Sequence, residues 1–358
     1  MKVALVYDRI NKWGGAERVL LALHKIWPEA PLFTAVYDEK RAPWAKVFTI
    51  QPSFLQHLPF AKAHHELYPW LTPMAFESFS FDGFDVVISV TSAEAKAIIT
   101  KPETFHVCYC LTPTRYLWSS KATYESSVGL MGAGLRLLSP TLRRWDEVVS
   151  TRPDHYIAIS NRVRERINTY YHRDADVIYP PVIVRDQGSE IRGQKDSYFL
   201  VVSRLVPYKR IDIIIDAFNK LGWPLTIIGD GMDKHALKKR AKGNITFIDR
   251  YLTEEELHSY YGSCRALIHA ADEDFGIVAV EALAAGKPVI SFRESAVSEI
   301  IDEHTGITFE EQTKHAIMSA LEEFSKRRFD PRLAKKRAEQ FSEEQFIQTF
   351  KRTIDSFI

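Results

Sequence analysis

The sequence predicts an α/β protein of two similar doubly wound domains, each a parallel sheet with helices on both faces, and a cleft between them. Short runs of β-branched and aromatic residues alternate with helical patterns along the chain, as in successive βαβ units. The 358 residues suffice for two domains that each bury their own core. The polar stretch 183–197 interrupts the alternation near the middle and is interpreted as the linker region.

The composition excludes several classes of protein. With 46% hydrophobic residues, 26% charged residues and a formal net charge of +1, the chain is neither disordered nor a polycation that captures nucleic acid. No stretch approaches the roughly 20 apolar residues that span a bilayer. The start, from Met1 to Arg9, is interpreted as a strand and not as a signal peptide. We therefore expect a soluble, cytoplasmic protein whose three cysteines are reduced and buried.

The first domain is expected to cover residues 1–181. Its strands are runs of β-branched or aromatic residues, which suit buried positions in a parallel sheet. The predicted strands are Lys2–Tyr7, Asp85–Val90, Phe105–Cys110 and His155–Ile159, and the predicted helices are Ala16–Ile26 and Asn161–Tyr170. Val177–Val182 closes this domain.

The second domain, residues 182–340, repeats the same alternation. Its predicted strands are Tyr198–Ser203, Leu225–Ile228, Ile245–Ile248, Ala266–His269 and Pro288–Phe292, and its predicted helices are Ile211–Leu221, Met232–Lys242, Glu254–Gly262 and Val278–Ala285. Gly286, followed by Lys287-Pro288, stops the last of these helices before the next strand.

A closing amphipathic helix is predicted over residues 341–358. Its apolar stripe consists of Phe346, Phe350, Ile354 and Ile358. Because an exposed stripe leaves apolar surface in water, we expect this helix to dock against the first domain.

Two glutamates separated by seven residues form the strongest chemical signal. Glu273 follows a strand that ends near His269, and Glu281 lies in the helix that opens near Gly276. Ligands of open α/β sheets bind outside the carboxyl ends of strands, and a glycine there lets a ligand approach the helix N-terminus. Taken singly, each Glu is interpreted as a solvated or dipole-complementing residue. Their shared context favours a binding site.

A basic loop directly follows the strand Tyr198–Ser203. It contains Ser203, Arg204 and Lys209, and it precedes the helix at Ile211. An Arg offers a planar fork and a Lys a compact charge, a pairing that suits a diphosphate. A basic loop by itself is usually solvated surface. Beside a carboxyl-end Glu and a glycine, this loop favours an anionic ligand.

Paired glycines, Gly14 and Gly15, link the first strand to the first helix. They permit close approach of the backbone to a phosphate, although a plain turn into a helix explains them equally well. The sequence around them is neither a Walker A loop nor a dinucleotide fingerprint.

The ordered set of motifs resembles family 4 of the retaining glycosyltransferases, which have the GT-B fold. The matching motifs are Gly14-Gly15-Ala16-Glu17, the loop from Ser203 to Lys209, and Glu273 to Glu281 followed by Gly286-Lys287-Pro288-Val289. The resemblance implies two Rossmann-like domains that face each other across a cleft. It also implies that the first domain serves the acceptor, that the second binds a nucleotide sugar, and that helix 341–358 crosses back to the first domain.

A closer resemblance points to the WbaZ-like mannosyltransferases of bacterial surface polysaccharide assembly. It rests on Tyr7-Asp8-Arg9 and on the segment from Thr112 to Trp118. It implies GDP-mannose as the donor and a glycan or polyprenyl-linked glycan as the acceptor, with no resident cofactor. The nearest alternative is a transferase that uses a UDP-sugar. A nucleotide-sugar epimerase and a non-catalytic sugar-binding protein of two lobes are further alternatives.

The resemblance implies roles for the charged residues. Arg204 and Lys209 are expected to neutralise the departing nucleoside diphosphate, so that no metal is needed. Glu281 is expected to bind the ribose hydroxyls, and Glu273 the hydroxyls of the transferred sugar. Retention in the family is described as same-face attack, in which the leaving phosphate helps to deprotonate the acceptor. The two carboxylates are therefore not the acid and nucleophile of a glycosidase.

The remaining donor contacts are expected from the backbone and from two further loops. The backbone N–H groups of Phe275, Gly276 and Ile277 are expected to hold sugar or phosphate oxygens. Arg250 and Tyr251 lie where the family has its base-contacting loop. The loop at Gly14-Gly15 is expected to approach the diphosphate from the first domain.

Leu111 departs from the resemblance. Related enzymes often carry a histidine near the donor sugar, and this segment has a leucine at the corresponding position. Leucine cannot hydrogen-bond a hydroxyl or share a proton, so either Thr112 or Arg115 serves instead, or the segment aligns differently.

Two other segments have competing interpretations. Gly129–Trp145 mixes leucines with Arg136, Arg143 and Arg144, so it is either a helix that docks on an anionic membrane or, preferably, an ordinary helix packed on the sheet. Asp174-Ala175-Asp176 has the spelling of a metal-binding motif but is interpreted as a polar turn.

Overall fold

A computed structural model describes residues 1–64, 67–68, 71–119, 129–184 and 198–357, with only the backbone for residues 129–138. The chain divides into two units. The first consists of Met1–Pro180 and Ile347–Ile358, and the second of Pro181–Phe346. Each is an α/β unit built on a single parallel sheet.

The first unit has a seven-stranded sheet in the order β3-β2-β1-β4-β5-β6-β7. Its strands are β1 Val3–Tyr7, β2 Leu32–Thr34, β3 Ile50–Pro52, β4 Val86–Thr91, β5 Phe105–Cys110, β6 His155–Ala158 and β7 Asp176–Val177. Its helices are α1 Gly15–Ile26, α2 Leu71–Glu77, α3 Gly129–Val149 and α4 Asn161–Tyr171. The central strands β1 and β4 are buried along their whole length, as their apolar sequences predict.

The second unit has a six-stranded sheet in the order β10-β9-β8-β11-β12-β13. Its strands are β8 Tyr198–Val202, β9 Leu225–Ile228, β10 Ile245–Ile248, β11 Cys264–His269, β12 Val289–Phe292 and β13 Gly306–Phe309. Its helices are α5 Ile211–Leu221, α6 Lys234–Arg240, α7 Glu254–Ser263, α8 Ile277–Ala284, α9 Val297–Ile300, α10 Lys314–Lys326 and α11 Pro331–Glu339. Its core joins strand residues such as Phe199 and Ile268 to Phe218 of α5 and Leu321 of α10.

Both sheets share one topology, which determines where a ligand can bind. In each, the strand order reverses beside the first strand, between β1 and β4 in the first unit and between β8 and β11 in the second. Helices after such strands leave in opposite directions, which opens a crevice at the carboxyl ends of the two strands. The loops after β1, β4, β8 and β11 are therefore the places to look for chemistry.

The last helix, α12, covers Glu343–Asp355. Phe350 on this helix is fully buried, and its ring lies 6.2 Å from that of Trp27 and 5.6 Å from that of Tyr109. Phe357, just beyond α12, contacts the rings of Phe105 and His155. All of these partners belong to the first unit. Ile358 lies outside the described residues.

Several predicted elements differ from the structure. β2, β3 and β13 were not predicted, because pairing with a neighbouring strand, and not their own sequence, makes these short segments strands. The predicted helix Met232–Lys242 is wrong at both ends, since the helix covers only Lys234–Arg240 and the N–H of Ala241 closes its last turn on Leu237. In the segment Val177–Val182, which closes the first domain, only Val177 belongs to a strand, the two-residue β7.

Three other expectations concern the cysteines, membrane-spanning helices, and the segments 183–197 and Gly129–Trp145. All three cysteines are free and buried, as predicted. Within the described ranges no helix is long and apolar enough to cross a membrane. The linker at 185–197 and the apolar face proposed for the first turns of Gly129–Trp145 lie outside the residues or side chains that the structure describes.

Candidate active site

The basic loop after β8 carries the first group of predicted residues. Arg204 is exposed, and its Nη2 donates a hydrogen bond to the hydroxyl of Tyr208 at 2.6 Å. The Tyr208 ring lies under both cations, with Lys209 Nζ 5.2 Å and the Arg204 guanidinium 6.0 Å from its centroid. A short turn of 3₁₀ helix, Pro207–Lys209, delivers Lys209 to the start of α5. Arg204 and Lys209 are thus held on one tyrosine.

The loop after β9 packs against this basic loop, a contact that was not predicted from the sequence. Gly229 has φ +143°, and a Cβ there would lie 1.9 Å from the carbonyl oxygen of Ser203. A Cβ at Gly231 would lie 2.3 Å from the carbonyl oxygen of Leu205. The N–H of Ser203 donates to Ile228 at 3.0 Å. The sequence signal was the Gly-Asp-Gly at 229–231 directly after a strand, where two backbones approach too closely for any side chain.

Lys209 and Glu273 meet across the switch point of the second sheet. Lys209 follows β8 and Glu273 follows β11, and the Lys209 ammonium forms an ion pair with the Glu273 carboxylate. Their side chains are only 13% and 17% exposed, so this pair is partly desolvated and more strongly coupled than a surface pair. From the sequence, Lys209 is expected to contact the diphosphate and Glu273 the transferred sugar, and a contact between the two is not predicted.

His269, the last residue of β11, is a further member of this cluster that the sequence analysis did not select. It is buried, and its Nε2 lies 3.9 Å from Glu273 Oε1. Burial, together with the positive charge of Lys209, lowers the pKa of His269 to about 3. His269 is therefore neutral at physiological pH. The available signal was its position at a carboxyl strand end four residues before Glu273.

Gly276 shapes the turn between Glu273 and α8. It has φ +101°, a left-handed conformation that disfavours side chains, and a Cβ there would lie 2.3 Å from Val297 Cγ2. Glu273 is held by its backbone, since its N–H donates to Ser295 Oγ and its carbonyl accepts from the N–H of Ala296. Gly276 caps α8, so the backbones of Phe275, Gly276 and Ile277 form the helix N-terminus beside Glu273.

Glu281 lies further along α8, where a tyrosine orients it. Its Oε2 accepts a hydrogen bond from the hydroxyl of Tyr261 at 2.8 Å, and Tyr261 itself is fully buried on α7. Glu281 is half-buried. A carboxylate oriented in this way can accept hydrogen bonds from vicinal hydroxyls.

Arg250 and Tyr251 occupy the loop after β10. Arg250 Nη2 lies 2.6 Å from Glu256 Oε1, and Glu256 also closes the capping box of α7 with Thr253. Tyr251 is 90% exposed. Arg250 therefore already has a structural partner, whereas the Tyr251 ring has little protein around it.

The paired glycines lie in the first unit. Gly14 caps α1 in an extended conformation, and a Cβ there would lie 3.1 Å from Glu17 Oε2. Glu17 is buried and accepts a hydrogen bond from the Tyr7 hydroxyl at 2.7 Å. Burial and this carboxylate raise the pKa of Tyr7 well above its usual value. Gly14-Gly15 is thus a tight entry to α1 over a buried carboxylate.

Leu111 follows β5 and is half-buried. Thr112, next to it, is buried, and its Oγ1 has no hydrogen-bond partner within the described residues. The polar group expected near this position therefore has to come from Thr112, from Arg115 or from a neighbouring loop.

The segment Asp174-Ala175-Asp176, predicted as a polar turn, runs into strand β7, of which Asp176 is the first residue. Asp176 Oδ2 lies 2.9 Å from His155 Nε2, on the neighbouring strand β6. Among the described side chains, no group of three His, Cys, Asp or Glu residues is arranged to hold a metal ion.

Part of the chain matches the model of a known family. Residues 185–345 match the model of the glycosyl transferases group 1. The chain is 29% identical over 204 residues to an uncharacterized glycosyltransferase of Methanocaldococcus jannaschii, across 54% of this chain and 56% of that relative. It is 23% identical over 222 residues to the O-antigen chain mannosyltransferase C of Escherichia coli, across 56% of this chain and 58% of that relative. The chain thus matches little more than half the length of these relatives.

Solved structures match over almost the whole chain. The lipopolysaccharide outer core galactosyltransferase WaaB, in its apo form, has a TM-score of 0.71 at 19% identity and covers 100% of both chains. HepE of Anabaena, in complex with UDP-glucose, has a TM-score of 0.72 at 17% identity over 99% of this chain and 100% of that one. These likenesses establish the fold and confirm the predicted GT-B fold with two Rossmann-like units.

Proposed function

We propose that this chain, whose residues 185–345 match the glycosyl transferases group 1, is a retaining hexosyltransferase that moves a sugar from a nucleoside-diphosphate sugar to a glycan or lipid-linked glycan. One observation carries the proposal. At the switch point of the second sheet, Lys209 and Glu273 form a partly desolvated pair beside the N-terminus of α8. Cations, a carboxylate and a helix N-terminus in that position suit a sugar diphosphate.

The charges account for the chemical step. Cleavage of the anomeric C–O bond leaves positive charge on the sugar and negative charge on the departing diphosphate. Arg204 and Lys209, both held on Tyr208, stabilise the leaving group electrostatically, and a metal-independent reaction follows from that charge. In the free protein Glu273 neutralises Lys209. A donor phosphate competes for Lys209, which releases Glu273 to accept hydrogen bonds from sugar hydroxyls.

The second carboxylate serves recognition. Glu281, oriented by Tyr261, is the acceptor for the hydroxyls of a ribose. The backbone N–H groups of Phe275, Gly276 and Ile277 supply donors for sugar or phosphate oxygens at the start of α8. Tyr251, largely exposed, offers a ring face on which a nucleobase can stack.

The favoured donor is GDP-mannose. The similarity to an O-antigen chain mannosyltransferase supports mannose as the transferred sugar and surface polysaccharide assembly as its setting. The likeness to a structure that binds UDP-glucose supports the second candidate, a UDP-hexose transferase. Peripheral attachment at the inner face of the membrane belongs to the same proposal, because it brings the enzyme to a polyprenyl-linked acceptor.

A donor screen tests this function. The purified chain is incubated with GDP-mannose, UDP-glucose, UDP-galactose and UDP-N-acetylglucosamine, with and without EDTA. Release of nucleoside diphosphate is measured by a coupled assay, and the sugar product is examined by NMR. We expect GDP release from GDP-mannose, unaffected by EDTA, and an α-configured product. Isomerised donor without diphosphate release would identify an epimerase, and binding without turnover of any donor would identify a sugar-binding protein.

A further inference from the structure

The first unit carries a charged pair at its own switch point, and the donor site does not use it. Arg9 lies on the loop after β1 and Glu94 on the loop after β4, the two strands between which the order of the first sheet reverses. Lys209 and Glu273 occupy the corresponding loops of the second sheet. In each unit a cation thus lies on the loop after the first strand of the sheet, and a glutamate lies on the loop after the fourth. The site proposed for the donor has a counterpart in the other unit.

A buried aspartate fixes the loop after β4, which carries Glu94. Asp8, directly after β1, accepts hydrogen bonds from Thr91 Oγ1 at 2.7 Å, from the N–H of Ser92 at 2.8 Å and from the N–H of Ala95 at 2.9 Å. Asp8 is buried. These bonds tie the loop after β4 to the end of β1 and leave Asp8 little capacity for a ligand. Asp8 is therefore a positioning residue, and Glu94 is the group it presents.

A buried ion pair holds the loop that carries Tyr116, the third residue of this group after Arg9 and Glu94. Asp146 of α3 pairs with Lys96 at 2.6 Å, and both side chains are inaccessible to solvent. Asp146 also accepts hydrogen bonds from Thr114 Oγ1 at 2.9 Å and from Trp118 Nε1 at 2.8 Å. Thr114 lies two positions before Tyr116, and Trp118 lies two positions after it. Breaking such a buried pair is costly. The loop after β5 is therefore held rigidly at the positions that flank Tyr116.

Glu94, Tyr116 and Arg9 converge on one place. The hydroxyl of Tyr116 donates to Glu94 Oε1 at 2.8 Å, and the positive charge of Arg9 acts on Asp8 and Glu94 alike. All three side chains are half-buried and so keep an accessible face. Burial raises the pKa of Glu94, and the negative charge of Asp8 raises it further. Two fully buried polar networks thus hold a partly accessible group, an arrangement expected of a binding site more than of a structural core.

The charge of the group indicates the class of ligand. Arg9 offsets only one of the two carboxylates, Asp8 and Glu94, so the group has no surplus positive charge for a phosphate. The Tyr116 hydroxyl already donates to Glu94. The acceptor oxygens of Glu94 beside the donors of the Arg9 guanidinium match a pair of adjacent hydroxyl groups, each of which both donates and accepts. Leu111 supplies a half-buried apolar neighbour after the same strand as Tyr116. A neutral hexose fits these requirements.

We propose that Arg9, Glu94 and Tyr116 form a hexose-hydroxyl site on the first unit, with Glu94 accepting from one sugar hydroxyl. This inference rests on the proposed function and deepens it, since it assigns the protein residues that meet a sugar where Leu111 cannot. The hexose is either that of the acceptor or the one carried by the donor.

Saturation-transfer NMR with methyl α-D-mannopyranoside and methyl α-D-glucopyranoside tests the site on the full chain. We expect saturation of at least one of these hexosides by the wild type, and at least a tenfold loss of affinity in Glu94→Gln and in Tyr116→Phe. A lost hydrogen bond to a charged group accounts for a change of about that size. Glu77→Gln is the matched control, because Glu77 is a half-buried carboxylate of the same unit that pairs with Arg152 at 2.7 Å. That variant is expected to bind the hexoside like the wild type.

Displacement distinguishes the two sources of the hexose. If the nucleotide sugar displaces the hexoside and the nucleoside diphosphate does not, the site holds the donor's hexose. If neither displaces it, the site holds the acceptor. Both results support the proposal. It is overturned if the wild type saturates neither hexoside, or if Glu94→Gln and Tyr116→Phe, folded by circular dichroism, bind as the wild type does.

Calorimetry separates this inference from the proposed function. GDP and UDP are titrated into the wild type, Glu94→Gln and Lys209→Ala. Binding of a diphosphate by the wild type and Glu94→Gln, with weaker binding by Lys209→Ala, supports the donor site independently of the hexose result. Absence of diphosphate binding by the wild type contradicts the proposed function, whatever the hexoside shows.

Discussion

The ammonium group of Lys209 contacts the carboxylate of Glu273, although the two residues follow different strands of the second sheet. Because β8 and β11 are neighbours in the sheet, their carboxyl-terminal loops meet. The contact means that neither residue acts alone: a ligand that binds Lys209 also changes the charge balance of Glu273. This coupling gives the proposed donor site a measurable signature.

Lys209→Ala is expected to weaken binding of a nucleoside diphosphate by about 1.5–3 kcal/mol, because it removes a charge-assisted contact. Isothermal titration calorimetry with GDP and UDP measures the loss. In a double-mutant cycle, Glu273→Gln is expected to enlarge the effect of the lysine substitution, since Glu273 competes with the phosphate for Lys209 in the free protein. Lys238→Ala is the control, as Lys238 pairs with Asp249 on the surface of α6. Equal affinity in Lys209→Ala and the wild type would refute the diphosphate assignment.

Substitutions of the two glutamates are expected to change different steady-state constants. Glu281→Ala should mainly raise the KM for the donor through lost ribose contacts, whereas Glu273→Ala should mainly lower kcat. Tyr261→Phe should reproduce part of the Glu281 effect, because it removes the 2.8 Å hydrogen bond that orients that carboxylate. Donor hydrolysis or transfer, followed over a range of donor concentrations, gives both constants. Wild-type kinetics in Glu273→Ala would exclude its role at the sugar.

Gly276→Ala is expected to destabilise the second unit by about 2–5 kcal/mol, since it combines backbone strain with steric overlap. The left-handed φ of +101° supplies the strain, and the 2.3 Å approach to Val297 Cγ2 supplies the overlap. Two other glycines separate the contributions. Gly222→Ala introduces strain at φ +71° without any close atom, and Gly243→Ala introduces neither. Urea denaturation should rank the losses as Gly276, then Gly222, then Gly243, and any other order contradicts this account.

Phe350→Ala is expected to cost about 3–5 kcal/mol of stability, because a fully buried ring leaves a cavity beside Trp27 and Tyr109. Hydrogen exchange should then increase in the strands of residues 1–180, and removal of residues 345–358 should have a larger effect of the same kind. Phe54→Ala, at a ring that is 42% exposed, is the control and should cost much less. Unchanged exchange in residues 1–180 after removal of the helix would show that α12 does not stabilise the first unit.

Acid is expected to destabilise the protein through buried histidines. His106 is fully buried with its Nε2 2.8 Å from Ser89 Oγ, and burial lowers its pKa to about 3. The unfolded chain binds a proton at His106 below about pH 6.5, whereas the folded chain does not. The free energy of unfolding should therefore fall as pH decreases from 6.5 towards 3, by up to about 1.4 kcal/mol per pH unit for this group.

His106→Gln tests this pH dependence. Urea denaturation between pH 7.5 and 5.0 should show a smaller loss of stability on acidification in the variant than in the wild type. His304→Gln changes an exposed histidine and should keep the wild-type slope. If all three proteins lose stability in parallel, His106 does not contribute.

Local pattern predicted the long elements well. Phe105–Cys110, Ile211–Leu221, Leu225–Ile228 and Ile245–Ile248 have the bounds that the sequence predicts. Their apolar residues follow the period of a buried strand or an amphipathic helix, and Gly222 and Gly229 mark the ends of Ile211–Leu221 and Leu225–Ile228. The short strands β2, β3 and β13 were missed, because pairing with a neighbour, and not their own sequence, makes them strands.

Local periodicity predicts the alternation of strands and helices, and with it the loops that carry Arg204, Lys209, Glu273, Arg9 and Glu94. Which of these residues meet depends on how the strands pair. Lys209 reaches Glu273, and Arg9 lies near Glu94, because β8 pairs with β11 and β1 with β4. Strand order results from packing helices on both faces of a twisted sheet. No local window of residues contains that information, so the partners of a charged loop residue emerge only when the sheet has formed.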